Sequence, residues 1–170
     1  MKAITLWQPW ASLLACGAKQ YETRSWPTNY RGPIAIHAAA MRIAHVMSQV
    51  YPMALNRMHP DNALMRSLIN SVRRTTGEYI GELPLGKVIA VAELVGCHQM
   101  VLRGGNRLLR ESPSFIETDR GIYVPDEQEL LFGDWTPGRY AWEFDNVTVL
   151  TEPVSARGMQ GLWEWKEGAK

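Results

Sequence analysis

The tightest constraint on this chain is a series of short segments with period-two apolar alternation, cut apart by glycine and proline. The clearest is 87–97, where Val88, Ala90, Ala92 and Leu94 point one way and Ile89, Val91, Glu93 and Val95 the other. Residues 2–7, 21–26 and 34–38 read as earlier strands, and 139–145 and 147–154 as later ones. Pro9 suits a first helical turn and Gly17 a helix stop, which predicts a short helix over 10–16 between the first two strands. Helical spacing returns in 41–50 and 62–74, separated by Pro52; in the second piece Leu64, Met65, Leu68, Ile69 and Val72 share a face. Residues 98–138 read as a loop-rich insertion with a short strand near 121–124, and the tail 157–165 as glycine-punctuated and aromatic. Strands scattered around helices, with several in succession late in the chain, predict an α+β fold: a small, mostly antiparallel barrel.

The 170 residues are 46% hydrophobic and 21% charged, an ordinary globular composition that excludes disordered and collagen-like classes. That length favours one domain over 1–170, with insertions at about 41–76 and 98–138. No apolar run approaches a membrane span, and the first residues lack a basic stretch followed by an apolar core, so a cytoplasmic protein is expected. Cys16 and Cys97 fit reduced small hydrophobes, and the scattered histidines predict no metal site; no cofactor is implied. The formal net charge of +1 conceals a split: residues 1–76 hold nine Lys/Arg against two acids, and 77–170 nine against fifteen. Either a basic face attracts phosphate or the halves interleave and cancel.

The residues with most chemistry lie around the first turn. If 20–26 is extended, Glu22 and Arg24 share a face, and Lys19 sits within reach of that strand's start. Trp7, Trp10 and Trp26 lie nearby in sequence. Arg24 offers a fork for phosphate or a base edge, Lys19 a point charge, Glu22 an acceptor for an amino group, and a tryptophan a stacking face. The other reading is an internal ion pair that only completes the fold. Glu93 reads as a partly buried carboxylate and His37 as structural. Trp163 and Trp165 read as core caps, and Gly104-Gly105 with Arg103, Arg107 and Arg110 as a basic loop without the context of a phosphate cradle.

Gly17, Lys19, Glu22 and Arg24 match a Gly-x-Lys-x-x-Glu-x-Arg signature, flanked by Gln8-Pro9-Trp10-Ala11, Trp26 and Arg31-Gly32. This pattern resembles the ASCH domain of the PUA-like β-barrel superfamily, across residues 1–40, 86–97 and 138–165. The resemblance implies an RNA- or nucleotide-binding cleft between barrel and first helix, lined by Lys19, Glu22 and Arg24. Trp26 and Arg31 are expected at its edge. It also raises a hydrolase alternative. One PUA-like branch hydrolyses N4-acetylcytidine with a lysine, a threonine three residues later and a separate glutamate. Here Glu22 holds the threonine position, so Lys19 and Glu22 would be the catalytic pair, with Glu22 as base on water. A ribonuclease would use Lys19 with Glu22 or His37. A third reading is an interaction module docking a protein partner through the helical insertion.

Overall fold

The computed structural model describes residues 1–50, 60–101, 115–118, 121–123 and 125–166. The expected basic loop at 103–110 and the break at Pro52 lie outside them. The chain runs β1 (Lys2–Leu6), α1 (Trp10–Ala15), β2 (Tyr21–Arg24), β3 (Gly32–Ala38), α2 (Ile43–Val50) and α3 (Pro60–Thr76). It continues with β4 (Lys87–Val101), β5 (Phe115–Thr118), β6 (Gly121–Tyr123), α4 (Glu127–Phe132), β7 (Tyr140–Ser155) and β8 (Leu162–Glu164). The main sheet follows the order β2-β7-β4-β3-β1-β8, with β5 and β6 attached to the end of β4.

The sheet is mixed: β1 and β3 pair in parallel, while the other pairings among the described residues are antiparallel. It curls into a half-barrel whose edge strands, β2 and β8, are not joined by a ladder. The expected α+β, barrel-like class therefore stands in its coarse form. The Arg24 guanidinium spans part of the gap, donating to the Thr5 carbonyl at 3.0 Å.

Three local expectations change for physical reasons. Strand β7 is one element where the sequence suggested two, because the break at Asn146 is a kink within a continuing strand. Asn146 adopts φ +49°, a left-handed conformation that asparagine tolerates, and the β4–β7 register shifts there. Strand β4 continues to Val101, four residues beyond the expected end at Cys97, because β5 and the start of β7 flank it. The loop-rich insertion also contains a helix, α4. It is capped by the Asp126 side chain, which accepts from the Glu129 amide at 2.8 Å.

The core fills the hollow of the curl. Ile4, Leu6, Ile34, Ile36 and Leu94 meet Trp142, Phe144 and the inner face of α1. Each such side chain contributes roughly 1.5–3 kcal/mol by leaving water. The face of β4 carrying Val88, Ala90, Ala92 and Leu94 is buried, whereas Val91 and Glu93 are half-buried and Val95 is exposed. A second cluster places Leu68 and Val72 of α3 against Leu13 of α1, Val46 of α2 and Phe132 of α4. The α3 stripe is thus used inside this molecule at those positions. Trp163 and Trp165 pack with Ala3, Ala35 and Val88 on the remaining side.

Candidate functional site

Helix α1 begins and ends in ways that fix the site. Gln8 is buried; its Oε1 accepts from the Ser12 amide and its Nε2 donates to Ser12 Oγ and the Pro84 carbonyl. At the other end Gly17, at φ +76°, allows a reversal that a side chain would strain, so its amide reaches the Leu14 carbonyl and that of Lys19 reaches Leu13. The chain thereby enters β2 with the Lys19 side chain turned inward and fully buried. Its ammonium donates to the Tyr21 carbonyl and lies 3.5 Å from Glu22. Arg24 Nε lies 3.3 Å from the other oxygen of Glu22, without the alignment of a hydrogen bond. Period two has put Glu22 and Arg24 on one face, as expected, with Lys19 beneath them.

Helix α4 clamps this turn from outside. Gln128 donates to the Ala18 carbonyl at 2.7 Å, and Glu129 Oε1 accepts from the Gln20 amide. Burial pushes the Glu129 carboxyl up from its usual range, against the pull of the Lys19 charge and the amides of Gln20 and Tyr21. Its second oxygen has no partner among the described residues. Behind β2, Glu143 and His98 pair at 2.9 Å. Burial, followed by the Glu143 charge, pushes the Tyr21 hydroxyl far up.

Above Glu22 and Arg24 runs a groove of three adjoining chambers. The first, about 380 Å³, lies over Glu22 and Thr23 between Trp10, Phe132 and the Asp134–Arg139 pair. The second, about 510 Å³, lies between Arg24, Trp26 and the segment Gly158–Gly161. A neck of about 190 Å³, lined by Thr5, Trp7, Trp10, Glu22 and Arg24, joins them. Arg139 Nε stands 3.2 Å from Asp134, and its terminal nitrogen donates to the Thr23 carbonyl. Each groove arginine thus faces a carboxylate, and strand pairing interleaves the basic first half of the chain with the acidic second half.

The structure brings some expected residues together and separates others. Glu22 and Arg24 line the groove at 14% and 27% side-chain exposure, and Trp26 walls the second chamber. Trp26 is held there edge-on to Trp142 with ring centres 4.6 Å apart. Lys19 is beneath the floor and lines none of the three chambers. Arg31 lies elsewhere on the surface, donating to the Thr28 and Tyr30 carbonyls. His37 is buried with Nε2 on the Ala156 carbonyl and Nδ1 without a partner among the described residues; burial lowers its pKa. Sequence reasoning missed Thr5, Phe132, Asp134, Arg139 and the chamber role of Gly158–Gly161. The signals available were the glycine punctuation of the tail and the resemblance across 138–165, which takes in Arg139.

Residues 4–153 match the model of the ASCH domain. No curated protein matches the chain. With the match covering nearly the whole length, the chain belongs to the ASCH-domain family, whose members are in general RNA-binding in character.

Proposed function

We propose that this protein binds RNA or a nucleotide in the groove over Glu22 and Arg24. The carrying observation is the side-by-side placement of this carboxylate and guanidinium on the floor, beside the accessible indole of Trp7, in chambers of ligand size. The Arg24 fork suits a phosphate or a guanine edge, and Glu22 accepts from an exocyclic amino group. Lys19 acts from below, holding Glu22 in place through their ion pair. That placement supports binding over hydrolysis, because an ammonium sealed beneath the floor does not face a ligand's developing oxyanion.

Titrating wild type, Arg24→Gln and Glu22→Gln with a short RNA and with nucleoside monophosphates across a salt series tests the reading. Arg24→Gln is expected to weaken binding about tenfold and to flatten the salt slope. Unchanged affinity in both variants would overturn the site. Hydrolysis of an N4-acylcytidine that Glu22→Gln abolishes would replace binding with the hydrolase reading.

A further inference from the structure

Among the described residues, Trp7 is the one common to the linings of the two large chambers; the others belong to one or the other. It also lines the neck between them. The indole stands at the junction of β1 and α1 with 40% of the residue exposed, outside every core cluster. A large, exposed aromatic dividing two spaces of about 380 and 510 Å³ gives each space a share of its surface. Stacking on an aromatic is open to any base, since every base has a π-face.

The floor divides in the same way. On one side lie Glu22 and the Asp134–Arg139 pair, donors and acceptors suited to a base edge. On the other lie Trp26 and the backbone of Gly158–Gly161, a surface that offers stacking and amides. Arg24 faces the neck and the second chamber, with one terminal nitrogen donating to the Thr5 carbonyl and its buried Nε 3.3 Å from Glu22. That is where the phosphate joining two nucleotides would pass if a base occupied each chamber.

From this geometry we infer that the occupant is a single-stranded RNA segment of at least two nucleotides, splayed so that consecutive bases sit on either side of Trp7. The inference rests on the nucleic-acid reading above and narrows its ligand class. A duplex, whose bases remain stacked on each other, does not admit the indole between them without unstacking.

The test compares a nucleoside 5′-monophosphate, a ribodinucleotide and the same dinucleotide with one base replaced by an abasic ribose. Each is titrated into wild type, Trp7→Phe and Trp7→Ala. In wild type the dinucleotide is expected to bind about tenfold more tightly than the mononucleotide, the size of one added stack. The abasic probe, which keeps the charge, should lose that gain. Trp7→Ala should bring the ratio to near one and Trp7→Phe should keep most of it, with far-UV circular dichroism unchanged in both. A wild-type ratio near one, a ratio that survives Trp7→Ala, or an abasic probe that binds like the full dinucleotide would overturn the inference. In each case mononucleotide binding dependent on Arg24 would leave the broader reading intact. Failure of all three ligands to bind wild type would overturn both.

Discussion

Lys19 shows how much one buried charge organises at the scale of a residue. Its ammonium is compensated by the Tyr21 carbonyl, by Glu22 at 3.5 Å and by the field of Glu129. Removing one partner from such an arrangement strands the others in a poorly solvated place. Lys19→Met is therefore expected to cost about 3–5 kcal/mol of stability at neutral pH, measured by urea unfolding. The loss should shrink in acid, where Glu129, released from the lysine's downward pull, takes up a proton. A loss below about 1 kcal/mol, typical of a surface pair, would refute this account. The shared face of Glu22 and Arg24 was legible in the sequence because side chains alternate along any strand. The burial of Lys19 was not, because the Gly17 turn directs it inward and α4, more than 100 residues later, closes over it.

At the scale of elements, two segments far along the chain complete the groove. Helix α4 was hard to read in an irregular stretch: it has six residues, too few to establish a helical period, and its clearest mark is the Asp126 cap. The segment between β7 and β8 depends on contact at Gly158. A Cβ there would lie 2.4 Å from His37 Cε1 and 2.9 Å from Thr5 Oγ1. His37 is buried against Trp163, and Trp163 donates to that same Thr5 hydroxyl at 3.1 Å, so neither neighbour gives way easily. Gly158→Ala is accordingly expected to cost about 1–3 kcal/mol and to weaken ligand binding by displacing a wall of the second chamber. Calorimetric melting together with RNA titration checks this. Wild-type values in both would show that the segment accommodates a methyl group.

Across the whole molecule, stability should carry the mark of His37. Burial lowers its folded-state pKa below the ordinary 6.5, so the unfolded chain binds the proton more readily. Its contribution is therefore present above about pH 6.5 and is lost as pH falls through the lower folded-state value. Glu129 works in the opposite sense, since its raised pKa weakens the fold as pH rises above its ordinary 4.5. Urea unfolding of wild type and His37→Gln across pH 4–8 separates the two, because Glu129 is common to both. The stability difference should change in the acid range, with wild type losing more; a pH-independent difference would show that His37 does not titrate as described.

The sequence by itself determined β1, β2, β3, β6, most of β4 and the two halves of β7, the helix between Pro9 and Gly17, and the juxtaposition of Glu22 with Arg24. Each follows from the local periodicity of the chain or from the conformational limits of proline and glycine. Only the tertiary structure decided that Lys19 lies below the floor, that Arg31 stands apart, and that Asp134, Arg139 and Gly158–Gly161 supply walls. Those placements depend on strand pairings and packing between segments more than 100 residues apart, such as β2 with β7 and β1 with β8. No local spacing encodes contacts of that kind, because a curled sheet brings its two edges face to face only after every intervening strand has paired.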